Sequence, residues 1–434
     1  MSLLDKPRAQ ELLADAVLSP AAVRDCQEHL TEFLRRYLPL FYRREQRDLA
    51  TLVLKGRLSG LQRKTSEPIA HQAGHTRKPV QHFVGQGVWD DEAVMSELRR
   101  HVAEELGDPG GVLVVDGSGF PKKGAASCGV ARQWCGRLGK LDNCQVGVFL
   151  AYAAPGGHAP LDRRLYLPED WAADPKRRRK TGVPKEVAFR EKWRIALDLL
   201  DRSGPDVPHG WVAGDDEFGR STEFRAELRL RHERYVLDVP ANTLVREVAL
   251  RPDGTRPPFE RADAWAARQP ASRWKTITVR DGTKGPLTVR ALKRRVQTKD
   301  EGGKVGPGET LTVIRGLGPE PQTWYALSNA GRHERRAALV RVHGERHRVE
   351  EVLQEGKGEV GLADYEVRGW VGWHHHMTLA LLALWFVTLE RRRLGGKNAG
   401  ADAAAGAAGV QPAAARPAAG TGGGGGGGQP RAAA

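Results

Sequence analysis

Two short apolar runs, each closed by an acid, limit most tightly what this chain can fold into. VLVVD at 112–116 is brief and β-branched, and WVAGD at 211–215 repeats the pattern of a strand ending in an acid. Both read as core strands carrying Asp116 and Asp215 at their C-terminal ends, where α/β folds place their sites. Two acids delivered there can share a metal ion. Either one taken alone can equally be a local turn cap, since Gly-containing turns, DGSGF and DDEFG, begin at the two positions. That the pattern occurs twice weighs against the local explanation.

The runs lie inside a mixed pattern. Apolar residues recur at helical spacing from Ala22 to about Glu105, as in LTEFLRRYLPLF and DEAVMSELRRHVAEEL, which predicts an all-helical N-terminal domain over 1–108. Asp90-Asp91 is a plausible cap for its last helix, and GDPGG at 107–111 stops it. A first part of an α/β core then covers 109–240. Its strands are VLVVD, QVGVFLAYA at 145–153, LDRRLYLP at 161–168 with one wet face, WVAGD, and RYVLDVP at 234–240; its helices are 186–202 and STEFRAELRLR. Short Thr/Val/Arg strands broken by DGTKG and GGKVGPGE make 241–321 a β-rich insertion. TWYALSN at 323–329 returns to the sheet, and a long charged helix from about Arg336 to Glu355 completes the core over 322–394. The Ala/Gly/Pro tail, 395–434, with seven glycines at 422–428, is expected to be disordered.

Charge narrows the partner. Lys and Arg total 68 against 53 Asp and Glu, a formal +15, which favours a polyanion such as nucleic acid; an Arg-enriching codon bias is the bland alternative. The cysteines Cys26, Cys128, Cys135 and Cys144 lack the two-residue spacing of zinc ribbons or redox motifs and suit a reducing cytoplasm. The longest apolar stretch, Met377 to Leu389, is too short for a bilayer and reads as a buried helix, so no membrane partner is expected.

A third acid lies in the charged helix. Arg346, Glu350 and Lys357 are spaced by four and seven residues, so they share one helical face. A solvated salt-bridge stripe has the same spacing. The segments VVDGSGFPKKG, AGDDEFG and RHRVEEVLQEGKGEVGLADYEVRGW together resemble the three catalytic segments of DDE transposases of bacterial insertion sequences, in the branch with a β-rich insertion before the final Glu. The similarity runs from about 25 to 390 and includes NCQVGVFLAY and the GW…H…TLALLA segment.

The resemblance implies a ribonuclease-H-like mixed sheet flanked by helices, with Asp116, Asp215 and Glu350 as catalytic metal ligands for two Mg²⁺ or Mn²⁺ ions. Such ions, about 4 Å apart, activate the attacking oxygen and stabilise the leaving one. Water would nick double-stranded DNA at inverted-repeat element ends, and the freed 3′-hydroxyl would join target DNA. The enzyme would act as a homodimer on DNA in the bacterial cytoplasm, associated with the nucleoid. The family's order of Tyr, Arg, Glu and Lys places His343 in the Tyr position, followed by Arg346, Glu350 and Lys357; all but the acid are expected to contact DNA. Lys122 and Lys123 match the family's basic pair and are assigned phosphate contacts. The aromatic-Gly pair Phe218-Gly219 selects Asp215 over Asp216, and the Arg and Lys spacing selects Glu350 over Glu351.

Other features weigh less. KRRRK at 176–180 is a basic run in an apparent loop, either tracking a DNA backbone or simply solvated. His374, His375 and His376 are consecutive on a helix and point apart, so they do not read as a metal site. Trp324, Trp370 and Trp373 read as packing residues rather than base-stacking platforms. Competing functions are a nuclease of the same fold without strand transfer, a catalytically inactive DNA-binding relic, and, remotely, a two-carboxylate glycosidase disfavoured by the basic surroundings.

Overall fold

The computed structural model describes residues 20–282, 285–300, 302–318 and 321–394. The tail at 395–434 and part of the DGTKG turn lie outside the described residues. Helical periodicity at the start of the chain gives α1 (Pro20–Tyr37), α2 (Arg44–Arg57), α3 (Ser66–Gln72), α4 (Arg77–Gly85) and α5 (Asp91–Leu106). Asp90 caps α5, accepting from the backbone N–H groups of Glu92 and Ala93. Four strands follow: β1 (Val112–Pro121), β2 (Ala131–Cys135), β3 (Lys140–Ala154) and β4 (Gly157–Leu165). Next come α6 (Glu169–Ala172), α7 (Pro175–Thr181), α8 (Lys192–Ser203), β5 (Trp211–Gly214), α9 (Asp216–Gly219), α10 (Thr222–Leu230) and β6 (Tyr235–Asp238).

The segment expected as an insertion contains β7 (Leu244–Glu247), β8 (Glu260–Arg261), α11 (Ala262–Ala267), β9 (Lys275–Gly282), β10 (Gly285–Lys299) and β11 (Val305–Arg315). The chain then returns through β12 (Thr323–Ser328), α12 (Arg336–Glu345), α13 (His347–Glu359) and α14 (Trp370–Arg393). All the strands join one sheet in the order β2-β3-β1-β5-β6-β12-β11-β10-β7-β8, with β4 also on β3 and β9 also on β10. The β-rich segment therefore extends the central sheet through β12, which pairs antiparallel with both β11 and β6.

Several local expectations need correction. β1 does not end at Asp116, because β3 pairs with it from Val112↔Ala153 to Pro121↔Cys144. Asp116 is nevertheless where its other edge opens, since the parallel pairing with β5 stops at Val115↔Gly214. β4 has no wet face: α5, α8 and α14 pack on it. Its Asp162 is fully buried, accepting from Arg202 Nε at 2.8 Å and Nη2 at 2.9 Å and from Ser203 Oγ at 3.2 Å. Sequence alternation reads charge as exposure, and here the charges neutralise one another inside.

KRRRK is not a loop but most of α7, which capping alone defines. Asp174 accepts from the Lys176 and Arg177 N–H groups, Pro175 opens the helix, and Gly182 closes it at φ 64°. The 186–202 helix begins only at Lys192. The expected long charged helix is two, α12 and α13, separated at Arg346, whose N–H bonds the His343 carbonyl in a tighter turn. Gly344, a poor helix former, stands beside that break.

The 24-residue α14 is apolar all round and buried along nearly its whole length. It packs on α2, α4, α5, α13 and β4, so the N-terminal helices and the sheet share one continuous apolar core. Among the described residues no helix is long and apolar enough to cross a membrane. Trp370 and Trp373 are buried in this core, and Trp324 packs against a smaller cluster with Val340.

Candidate active site

The parallel register puts Asp116 and Asp215 side by side, each one residue beyond the last β1–β5 pair, Val115↔Gly214. Asp116 Oδ1 accepts from the Gly117 N–H at 2.7 Å. Asp215 is the N-cap of α9, with Oδ1 accepting from the Glu217 N–H at 3.0 Å. Asp216 turns instead to Arg220, 2.8 Å away. Gly219 closes the motif because a side chain there would overlap the Asp238 carbonyl, so α9 can lie directly on β6.

Glu350 arrives from α13, which packs on β1 and β3. Its carboxylate is held by Arg346 Nη1 at 2.9 Å and lies 3.6 Å from His347. Glu351 faces elsewhere, toward Arg348 at 2.6 Å. Farther along α13, Lys357 Nζ donates to Ser118 Oγ at 2.8 Å, two residues past Asp116 on β1. The helical face inferred from spacing thus lies along the β1 strand.

Burial, and after it the charges of Asp215 and Glu350, push the Asp116 carboxyl up to about 8, against the Gly117 hydrogen bond. Burial and then Glu217 and Asp216 push Asp215 up to about 6. The neighbouring His347 and the Arg346 guanidinium hold Glu350 below the ordinary carboxylate range despite burial. Burial disfavours the Arg346 cation, but Asp238, Glu350, Asp215 and Asp116 together raise its pKa. Arg346 is the cation around which these acids are arranged.

The two aspartates fit a hard divalent cation: they offer only oxygen donors, and their mutual repulsion is what a bound cation would relieve. The full set is not assembled. Among the described residues no three His, Cys, Asp or Glu side chains form a group able to hold a metal, and Glu350 is engaged by Arg346 and His347.

The other expected contact residues are placed differently. His343 is 5% exposed, with Nε2 3.0 Å from Asp238 Oδ1 and its ring against Trp324. Its imidazole therefore lies inside the fold beside the Asp238 carboxylate. Lys122 is partly buried, its Nζ 3.3 Å from the Tyr365 ring centroid and 3.3 Å from the Tyr365 carbonyl, whereas Lys123 is exposed. The three histidines diverge: His374 meets the Trp370 carbonyl, His375 that of Trp89 and His376 that of Leu362.

Asp238 is the residue that sequence reasoning missed. It is 8% exposed at the end of β6, 3.0 Å from His343 and 3.1 Å from Arg346 Nε. YVLD at 235–238 ends in an acid just as the two catalytic-type strands do, so the signal was available.

A family model described as DDE superfamily endonuclease matches residues 36–286, more than half of the 434 residues. The chain belongs to this family. In this DDE superfamily endonuclease the matched range contains Asp116 and Asp215 and ends before Glu350. The chain is also similar to the "Probable transposase for insertion sequence element IS701" of Microchaete diplosiphon, 28% identical over 193 residues, which are 44% of this chain and 48% of that protein. The chain therefore spans about half the length of the curated relative it matches.

Proposed function

We propose that this DDE superfamily endonuclease is an insertion-sequence transposase that cuts double-stranded DNA at inverted-repeat ends and joins the freed 3′-hydroxyl to a target. The observation that carries the reading is the side-by-side delivery of Asp116 and Asp215 by parallel strands, with Glu350 and Arg346 facing the same place. Resemblance to a transposase from another insertion sequence supports it. The ribonuclease-H-like description of the core belongs to the same reading.

Endonucleases of this family generally use divalent metals; here Asp116, Asp215 and Glu350 would hold two Mg²⁺ or Mn²⁺ ions, supplying Lewis-acid activation of the attacking oxygen and charge relief at the leaving one. Glu350 joins that set by leaving Arg346, which frees the guanidinium for a phosphate oxygen beside the cut. Lys357 and exposed Lys123 contribute further phosphate contacts. In hydrolysis the oxygen of water bonds to phosphorus, the P–O3′ bond breaks, and the strand leaves with a 3′-hydroxyl. In joining, that hydroxyl bonds to a target phosphorus and displaces another 3′ oxygen. The enzyme works as a homodimer on paired ends, within the bacterial cytoplasm at the nucleoid.

The test uses the full chain, Mg²⁺ or Mn²⁺, and labelled duplexes carrying the inverted repeats read from the DNA flanking the gene. Metal-dependent nicking at the repeat boundary and joining of pre-cut ends are expected. Cleavage without joining would leave a nuclease of the same fold, and binding without either reaction would leave a DNA-binding relic.

A further inference from the structure

A second basic feature lies apart from the acids. A cavity of about 800 Å³ opens between α2, α3, α4, the end of α7 and the 364–371 segment leading into α14. Its walls bring together six Lys and Arg side chains, Arg57, Lys64, Lys78, Arg179, Lys180 and Arg368, against two carboxylates, Asp364 and Glu366. Glu366 is already paired with Arg63 at 2.7 Å. Among the described residues, Lys78, Arg179, Lys180 and Arg368 have no carboxylate within salt-bridge distance.

Two of the cations are interior. Arg57 is 2% exposed; its Nη1 donates to the Val360 and Gly361 carbonyls, Nη2 meets His376 Nδ1 at 2.9 Å, and Nε has no hydrogen-bond partner. Lys64 is 5% exposed, and its ammonium donates to the Ser59 carbonyl. The charges of Asp364 on both cations and of Glu359 on Lys64 offset their burial only in part, and an anion in the cavity would offset it further. Beside them the wall is apolar, formed by Val53, Ile69, Val80, Val84, Val367 and Val371. A phosphate carried on a flat or apolar body fits this combination better than a bare inorganic anion.

We propose that this cavity receives one unpaired nucleotide of a DNA strand, its phosphate against the Arg57–Lys64 wall and the α7 cations, its base against the valines. A duplex is too wide to enter an enclosure of this size, so only an extruded or single-stranded nucleotide can occupy it. The inference rests on the reading of the chain as a DNA-processing enzyme. Tyr365 lines the cavity, and its ring carries Lys122, the residue that follows β1.

The test is fluorescence anisotropy without divalent cation, comparing a labelled single-stranded oligonucleotide, a blunt duplex and a duplex with an unpaired patch. A deoxynucleoside monophosphate serves as competitor. Val371→Trp fills the cavity from a half-exposed position without changing charge, and should weaken single-strand and patched-duplex binding at least about 10-fold while sparing the blunt duplex. Lys78→Glu with Arg179→Glu and Lys180→Glu should also weaken it and flatten its log–log salt slope by about 2. The exposed control triple Arg251→Glu, Arg256→Glu and Lys275→Glu should change single-strand binding far less. Unchanged binding by Val371→Trp, equal losses in the two triples, or a monophosphate binding as tightly as the strand would each overturn the proposal. Thermal melting checks that every variant folds. Failure of the transposase reading shows up separately, as absence of metal-dependent cleavage by the unmodified protein.

Discussion

Arg346 Nη1 lies 2.9 Å from Glu350 Oε1, so the acid expected to complete the catalytic set is held by the cation expected to grip DNA. The contact joins the end of one helix to the start of the next, and its position is fixed from behind by Asp238. Asp116 and Asp215 wait on the strand side with raised pKa values. The site is thus arranged around an internal ion pair between Arg346 and Glu350.

Replacing Asp116 or Asp215 by Asn, or Glu350 by Gln, should lower metal-dependent DNA cleavage by about 10³-fold or more, equivalent to about 4 kcal/mol of barrier, with binding to element ends largely kept. Gel-resolved nicking and anisotropy on the same duplex separate the two effects. Cleavage by Glu350→Gln at the normal rate would remove Glu350 from the assigned set.

Asp238→Ala should destabilise the fold by about 3 kcal/mol, since it strands two largely buried partners, His343 and Arg346. Asp238→Asn keeps a hydrogen-bond acceptor and should lose less. Urea unfolding midpoints measure this, and the nicking rate of Asp238→Asn reports whether Arg346 has shifted. A midpoint unchanged in Asp238→Ala would contradict the positioning role.

Gly219→Ala should cost about 1–3 kcal/mol through overpacking, because its methyl would meet the Asp238 carbonyl and push α9 off β6. Cleavage should fall as well, since Asp215 is the N-cap of α9. Gly358→Ala is the control, as a methyl at Gly358 meets nothing within 4 Å.

Acid should weaken the core through α14. Burial lowers His374 to about 3, His375 to about 4 and His376 well below its ordinary value. Asp91, Arg163 and Arg164 face the first two, and Arg57 and Lys122 the third. Above the unfolded value of about 6.5 these imidazoles are neutral in both states; below it only the unfolded chain gains protons. The contribution of these histidines should therefore be complete above about pH 6.5 and fall toward pH 4, by up to about 1.4 kcal/mol per pH unit for each, outweighing the raised Asp116 and Asp215, whose contribution grows as pH falls. The urea midpoint should drop between pH 7 and pH 5, and drop less in His375→Gln. A flat profile would contradict the buried neutral state.

Local pattern carried a large share of the structure. Strands such as 112–116 and 211–215 and the helices of the first hundred residues were legible because burial on one face or both imposes a period on apolar residues. Three acids stood out by pattern, two closing apolar runs and one at helical spacing with Arg346 and Lys357, and the resemblance to DDE transposases is what joined them into one set. Features held by long-range charge were not legible. The burial of Asp162 among Arg99, Arg163 and Arg202, and of His343 against Asp238, joins residues far apart in the chain, and a charged residue looks solvated until its partner is known.

What the sequence by itself determined is the type of most elements, the presence of acids closing apolar runs and a strongly cationic chain, because these follow from local periodicity and composition. Tertiary structure alone decided that β1 continues past Asp116, that α7 helps wall a cavity, and that Glu350 rests on Arg346. Strand partners, helix caps and ion pairs compete for the same backbone and side-chain groups, and that competition is settled only when distant segments meet.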